Sequence, residues 1–167
     1  MVRSDIKAYQ IGLRGLILGF FTGHAFYAVL LYRIANFFVR HHIKFLPGVV
    51  GHILLRRFAC EISPYATIGK GFRLHHTPGI VIGWGVQIGD DCEVFQNVTI
   101  GENRRESEGQ RFPIIGDRCT IYAGACVIGP IRLGDGCRVG ANSVVTHDVP
   151  ANTTVAGIPA RPLSEQE

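Results

Sequence analysis

The chain has 167 residues, of which 47% are hydrophobic, and it carries a formal net charge of +4. This length fits one ordinary domain with enough apolar residues for a sizeable core. Five cysteines without a Cys-x-x-Cys pair exclude a complete disulfide framework, no nucleic-acid motif is present, and no signal-peptide cleavage pattern follows the first apolar run, so we expect a cytoplasmic protein without a nucleic-acid partner.

Residues 1–58 predict a helical segment that holds the whole charge excess. Residues 1–60 contain eight Lys/Arg against one acid, Asp5, whereas residues 61–167 contain nine against twelve. Residues 15–32 lack charged side chains, but glycines interrupt them, which favours an amphipathic helix over a membrane span. Apolar residues at helical spacing then continue to Phe38, and a short helix over residues 49–58 follows.

Two interpretations of this segment stay open. Packing of helices within an oligomer is one. The other is peripheral contact with the inner face of an anionic membrane, because each basic residue near such a surface contributes about 1 kcal/mol. The apolar stripe expected to face the bilayer is Leu16, Ile17, Phe20, Phe21, Tyr27, Leu30 and Leu31. The basic residues expected beside it are Arg33, Arg40, Lys44, Arg56 and Arg57.

From residue 61 onward the chain repeats with a period of six. The recurring aliphatic residues are Ile62, Ile68, Leu74, Ile82, Ile88, Val94, Ile100, Ile115, Ile121, Val127, Leu133, Val139 and Val145. A period of six is typical of a hexapeptide β-helix, in which each unit forms one short strand and a turn, and three units form one triangular coil with the aliphatic side chains stacked inside. We predict this all-β fold for residues 59–163, followed by a tail at 164–167. Cys92, Cys119 and Cys137 fall on inward positions, which favours a packing role for them.

Two interruptions of the repeat are the places to look for function, because a solenoid accepts insertions only on its outside. The first interruption contains His75 and His76, followed by Thr-Pro-Gly. The second is a charged loop, residues 102–110, which leads into Arg111-Phe112-Pro113.

With these motifs the chain resembles the hexapeptide-repeat acyltransferase superfamily. Within it the chain is most similar to the serine acetyltransferases and to bacterial capsule and exopolysaccharide O-acetyltransferases. The matching segments are residues 32–35, 68–71, 79–83, 97–101 and 156–161. The resemblance implies a left-handed parallel β-helix, acetyl-CoA as co-substrate, no metal, and a homotrimer whose sites lie between neighbouring solenoids.

The resemblance also implies roles for two residues. In serine acetyltransferases a histidine just before the Gly-Ile-Val-Ile-Gly segment is the general base, and an acid fifteen residues upstream is its partner; the matching positions here are His76 and Glu61. Fifteen residues is nearly one coil of about 18 residues, so the two side chains are expected on adjacent rungs. A carboxylate on one imidazole nitrogen fixes the tautomer and leaves the other nitrogen free to take the proton of a hydroxyl.

The residues expected to bind the acceptor depart from the serine acetyltransferase pattern. His75 replaces an acid that contacts the amino-acid acceptor, and Phe112 replaces a histidine, whereas Arg111 is retained. Phe112 offers a flat apolar face on which a sugar ring can stack. The departures favour a sugar hydroxyl of a surface polysaccharide or its precursor as acceptor, and serine O-acetylation in cysteine biosynthesis is the alternative.

On the donor side, the match implies that the backbone at Ala123 and Ala141 contacts the pantetheine arm of acetyl-CoA. Arg161 is either a contact for the phosphates of the cofactor or a solvated side chain. No cysteine lies at the matched catalytic position, which favours direct transfer without a covalent enzyme intermediate. Two alternatives belong to other classes: a non-catalytic β-helix scaffold, and a zinc hydratase, which needs three converging histidines although His147 lies several coils from His76.

Overall fold

The computed structural model describes residues 1–9, 25–104, 107 and 109–163. Its helices are α1 (Val2–Ala8), α2 (Ala25–Arg40) and α3 (Leu46–Phe58). In the described part of the chain no helix combines the length and the apolar character needed to cross a bilayer. The predicted stripe at Leu16, Ile17, Phe20 and Phe21 lies outside the described residues, as does the predicted tail at 164–167.

Helix α3 begins three residues earlier than the sequence predicted. Pro47 occupies the first turn of the helix, where a backbone N–H has no intrahelical partner and proline is therefore tolerated. The helix ends at Phe58, and the capping residue Ala59 has a left-handed φ of 50° and an N–H that donates to the Leu55 carbonyl at 3.1 Å. This reversal turns the chain into the first strand.

The remainder of the described chain is a parallel β-helix of three faces. Face A contains β1 (Glu61–Ile62), β4 (Val81–Ile82), β7 (Thr99–Gly101), β10 (Cys126–Ile128) and β13 (Val144–Val145). Face B contains β2 (Thr67–Ile68), β5 (Gln87–Ile88), β8 (Ile114–Ile115) and β11 (Arg132–Leu133). Face C contains β3 (Arg73–Leu74), β6 (Glu93–Val94), β9 (Thr120–Ile121), β12 (Arg138–Val139), β14 (Thr154–Gly157) and β15 (Ala160–Pro162). All pairs are parallel except β14 with β15.

Each coil runs through faces A, B and C in turn, so the turns form three edges along the solenoid. The C–A edge consists of residues 75–80, 95–98, 122–125 and 140–143. The A–B edge contains residues 63–66, 83–86, 102–104, 107, 109–113, 129–131 and 146–148. The B–C edge lies between faces B and C.

The aliphatic residues of the repeat form the core, as predicted, and all thirteen are buried. Strand register stacks them in columns, for example Ile62 on Ile82 and Ile82 on Ile100 along face A. Burial of one such side chain contributes roughly 1.5–3 kcal/mol. Cys92, Cys119 and Cys137 are buried too, and their thiols lie 3.0–3.2 Å from backbone carbonyl oxygens of the next coil.

Arg33 attaches the helices to the β-helix, and its predicted contact with a membrane is wrong. The side chain is 7% exposed and pairs with Asp5 of α1, whose side chain is 1% exposed, at 3.0 Å. Its guanidinium also donates to the carbonyl oxygens of Ile68 and Gly69, each at 2.5 Å. Desolvation of a guanidinium requires such a full set of acceptors, which the turn after β2 supplies.

Candidate active site

His76 lies on the C–A edge in a turn that is two residues longer than the repeat requires. Its side chain is exposed. The turn returns to the repeat through Gly79, whose φ is 73° and whose N–H donates to the Ala59 carbonyl at 2.8 Å. A Cβ on Gly79 would lie 2.1 Å from Oδ1 of Asn97, so only glycine fits. The extra length therefore displays the imidazole on the outside of the coil.

Glu61 lies on the adjacent rung, at the start of face A. It pairs with Val81, and its backbone N–H donates to the Ile80 carbonyl at 2.8 Å. The carboxylate is exposed, and in the described part of the chain it makes no hydrogen bond with His76. The rung spacing agrees with the sequence analysis, whereas the pairing of the two side chains stays a prediction.

His75 is held in place by residues of the next coil. Its Nε2 lies 2.8 Å from Oε2 of Glu93, and the other oxygen of Glu93 accepts a hydrogen bond from Arg73. The imidazole stacks on Phe95 with ring centroids 4.0 Å apart and planes within 9°. Burial alone would raise the pKa of the Glu93 carboxyl, but the hydrogen bonds from His75 and Arg73 outweigh it and keep that pKa below its ordinary value.

Sequence reasoning missed Glu93 and Phe95. The repeat places Leu74 beside Val94, and the structure confirms this register. The residues that flank Val94 are therefore neighbours of the segment containing His75. This signal was present in the sequence, although spacing alone does not say which side chains meet.

Arg111 and Phe112 lie on the A–B edge, and the structure does not bring them to His76 within one chain. Arg111 forms an exposed ion pair with Glu102 at 2.9 Å across the base of the charged loop. Phe112 covers Gly85, where a Cβ would lie 2.6 Å from the ring, and meets Trp84 edge-on at 5.6 Å between ring centroids. Both predicted acceptor residues thus occupy a different edge from the predicted base.

An aromatic cluster that the sequence analysis missed extends from Phe112. It consists of Tyr65, Trp84 and Phe112, with Tyr65 and Trp84 centroids 6.2 Å apart. Trp84 is 60% and Tyr65 54% exposed, which is unusual for side chains this large. Tyr65 and Trp84 line a cleft of about 690 Å³ between α3 and the first coil, together with Glu61 and His52. The position of the single tryptophan in a turn of the repeat was the available signal.

Ala123 and Ala141 share the C–A edge with His76. They lie on successive rungs, and the N–H of Asn142 donates to the Ala123 carbonyl at 2.8 Å. Rungs are about 4.8 Å apart, so the edge from His76 to Ala141 spans roughly 14 Å. Between them is Gln96, whose buried Oε1 has no hydrogen-bond partner in the described residues.

Arg161 and His147 lie apart from this edge. Arg161 is exposed on β15, and its Nη1 donates to the carbonyl of its neighbour Ala160 at 3.1 Å. His147 is exposed and contacts Thr146 at 3.1 Å. No group of three His, Cys, Asp or Glu side chains with the geometry for a metal ion occurs in the parts of the chain that the structure describes.

Known proteins with similar sequences agree on the family to which they point. Residues 112–147 match the family model "Bacterial transferase hexapeptide (six repeats)". The chain is 40% identical over 164 residues to a serine acetyltransferase of Bacillus pumilus, covering 96% of this chain and 75% of that one. It is 35% identical to a serine acetyltransferase of Helicobacter pylori strain J99, covering 83% of this chain and 81% of that one.

Solved structures give the same result. A serine acetyltransferase of Neisseria gonorrhoeae superposes with a TM-score of 0.86 at 33% identity, covering 98% of this chain and 64% of that one. A serine acetyltransferase in complex with CoA superposes with a TM-score of 0.82 at 30% identity, covering 97% of this chain and 68% of that one. A serine acetyltransferase in complex with cysteine superposes with a TM-score of 0.79 at 37% identity, covering 84% of this chain and 58% of that one. The chain thus spans about three-fifths to two-thirds of these solved chains.

Proposed function

The chain belongs to the serine acetyltransferase family of hexapeptide-repeat acyltransferases, and from this premise we propose that it transfers an acetyl group from acetyl-CoA to the hydroxyl of L-serine. Its parallel β-helix is left-handed, as the resemblance implied. The relatives support serine over the sugar acceptor that the sequence analysis favoured. Membership of this family also argues against a non-catalytic scaffold.

The observation that carries the proposal is the composition of the C–A edge. The candidate base His76 stands at one end, and the small residues Ala123 and Ala141 follow on later rungs. We propose that acetyl-CoA lies along this edge with its thioester at the His76 end.

His76 then acts as general base. Its imidazole takes the proton of the acceptor hydroxyl while the oxygen attacks the thioester carbonyl, a C–O bond forms and the C–S bond breaks. The leaving thiolate of CoA takes the proton back from the imidazolium. Glu61, on the adjacent rung, stabilises the imidazolium electrostatically. A positioned base of this kind contributes about 10²- to 10⁴-fold to the rate.

A homotrimer completes the site in this proposal. Within one chain Arg111 and Phe112 lie on the A–B edge, whereas His76 lies on the C–A edge. A second solenoid packed alongside can bring its A–B edge to the first chain's C–A edge. Arg111 would then face the carboxylate of serine from the neighbouring chain, since a guanidinium pairs well with carboxylates.

A sugar hydroxyl is the second candidate acceptor, and one observation favours it. The exposed cluster of Tyr65, Trp84 and Phe112 presents aromatic faces next to the cleft that Glu61 lines. The cleft volume of about 690 Å³ lies in the range of pockets for drug-sized ligands, ~300–1,000 Å³, and is far larger than serine needs.

The decisive experiment measures thiol release from acetyl-CoA with a panel of acceptors that contains L-serine and sugars. We expect release with serine in the wild type and almost none in His76→Ala. If a sugar replaces serine as the acceptor, Trp84→Ala should raise the KM for the sugar and leave the KM for acetyl-CoA unchanged. A purified wild type that acetylates no acceptor would overturn the proposal.

Peripheral contact with an anionic membrane remains a proposal for the helical segment. On α3 the apolar side chains Val49 and Ile53 are exposed, and Phe45 precedes them at 79% exposure. These three residues are spaced four apart and so share one side of the helix. Lys44 lies next to this stripe and is exposed as well. Apolar insertion combined with basic residues is the chemistry of reversible binding to anionic lipid.

A further inference from the structure

The first coil is the end of the stacked sheets on the side of the helices, and the helices cover this end unevenly. On face B, the carbonyl oxygen of Ile68 accepts a hydrogen bond from Arg33 of α2 at 2.5 Å. On face C, the carbonyl oxygen of Leu74 accepts a hydrogen bond from the hydroxyl of Tyr9 at 3.0 Å. On face A, no side chain of the described residues binds the backbone of β1 in this way.

Ile62 carries the unpaired backbone groups of this open edge. The N–H groups of its neighbours Glu61 and Ser63 donate to the carbonyl oxygens of Ile80 and Ile82 in the next coil, at 2.8 and 2.9 Å. Successive residues of a strand direct their backbone groups to opposite sides, so the N–H and the carbonyl of Ile62 point away from that coil. No hydrogen bond to either group occurs among the described residues, and backbone groups of this kind need a partner.

Ile62 lines the cleft of about 690 Å³ between α3 and the first coil. The helix side of the cleft contains Gly48 and Gly51, and a Cβ added at either glycine would meet no atom within 4 Å. Glycine within a helix costs about 1 kcal/mol relative to alanine, and no contact in the described residues requires it at these two positions. The absence of two side chains from the helix wall keeps the cleft open beside the unpaired edge.

The side chains around the cleft match the chemistry of a saccharide. Trp84 and Tyr65 are exposed, and their ring planes are inclined by 47°. Rings at this angle leave no slot for a planar base between them, but each offers a flat apolar face to the C–H side of a sugar ring. Glu61 supplies acceptor oxygens and His52 supplies a donor and an acceptor. Vicinal hydroxyls both donate and accept, so two of them can satisfy the N–H and the carbonyl of Ile62 together.

We propose that this cleft is a saccharide-binding site, in which a sugar ring stacks on Trp84 and Tyr65 and its hydroxyls pair with the backbone of Ile62. The site goes beyond acetyl transfer to serine, because it gives the protein a further ligand and lies apart from His76 on the C–A edge. Saccharide binding here does not require that a sugar is the acetyl acceptor. A cleft with aromatic walls and a few convergent polar groups is the usual form of a small-molecule site.

Trp84 is the single tryptophan of the chain, so its fluorescence reports on this cleft. The test titrates the protein with glucose, galactose, N-acetylglucosamine and cellobiose, and follows both the emission of Trp84 and its quenching by acrylamide. We expect at least one of these saccharides to shift the emission to shorter wavelength in a saturable way and to protect Trp84 from the quencher. If none of them changes the emission or the quenching, the inference is overturned.

Gly51→Leu tests the cleft without removal of an aromatic side chain. A leucine at this position fills the cleft, its Cβ meets no atom within 4 Å, and leucine favours a helix more than glycine does, so the fold should be retained. We expect the Kd of the bound saccharide to rise about tenfold or more. Val49→Leu is the matched control, because Val49 is exposed on the same helix but does not line this cleft. Equal affinity in the two variants would contradict the inference.

The remaining outcomes separate this inference from the proposed function. A protein that binds a saccharide in the cleft but transfers no acetyl group keeps the inference and loses the proposed function. If Trp84 of the active protein is already shielded from acrylamide without a saccharide, a neighbouring chain covers the cleft and the inference is wrong. It is wrong as well if L-serine or CoA shifts the emission of Trp84 and the saccharides do not.

Discussion

Replacement of Arg33 by methionine should destabilise the protein strongly. The change keeps the length of the side chain and removes the guanidinium, which makes two hydrogen bonds to Asp5, at 3.0 and 3.2 Å, and two to backbone carbonyls. Asp5 then stays buried with the N–H of Phe72, at 3.2 Å, as its remaining partner among the contacts described. Removal of one partner from a buried ion pair costs about 3–5 kcal/mol. That is a large part of the total stability of a domain, roughly 5–15 kcal/mol.

Urea denaturation followed by circular dichroism measures the effect, at matched protein concentrations because assembly shifts apparent stability. Arg118→Met is the matched control, since Arg118 is 65% exposed and its nearest acids lie 3.7 and 4.0 Å away. Loss of such a surface pair costs about 1 kcal/mol or less. If Arg33→Met costs no more than Arg118→Met, the argument that this pair anchors the helices is refuted.

Four further predictions follow from the site and its surroundings. His76→Ala should lower kcat about 10²- to 10⁴-fold in the acceptor assay, and Glu61→Gln should lower it less. Circular dichroism should show that both variants stay folded. Turnover of His76→Ala at the wild-type rate would refute the assignment of His76 as the base. Light scattering should give a trimer, and the mass of a single 18.3 kDa chain would contradict a shared site. Co-sedimentation with anionic vesicles should occur at low salt and be lost when the exposed Phe45, Val49 and Ile53 are replaced by serine; binding unchanged by these replacements excludes this stripe. The pKa of Glu93 is depressed in the folded state, so its ionised carboxylate stabilises the fold. The stability advantage of the wild type over Glu93→Gln should therefore be complete above pH ~4.3, the ordinary pKa of a glutamate, and should vanish as the pH falls below the depressed pKa. Urea denaturation of both proteins at a series of acidic pH values measures this difference.

The six-residue period was enough to predict the coils and their core. In a β-helix an inward position recurs at constant spacing, so residues as distant as Ile62 and Val145 are assigned to the same core by sequence alone. The placement of Cys92 inside and the outward loop at His76 follow from the same spacing, because an insertion cannot enter a stacked core. These properties depend on the period and not on which side chains touch.

Contacts between coils were decided by the tertiary structure. The spacing places Glu61 one rung from His76, yet the carboxylate hydrogen-bonded to a histidine is Glu93, with His75. Whether two side chains on adjacent rungs meet depends on their direction at the edge, which the two-residue insertion changes.

Arg33 and Trp84 show the same limit for longer-range contacts. The sequence predicts that a basic residue on an apolar helix is exposed to solvent. Arg33 is buried instead, because its guanidinium binds the carboxylate of Asp5 and the carbonyl oxygens of Ile68 and Gly69. Trp84 belongs to a cluster with Phe112 only because the charged loop returns the chain over Gly85. Sequence periodicity determines the rung of a residue, whereas its partners depend on how helices, loops and coils pack in three dimensions.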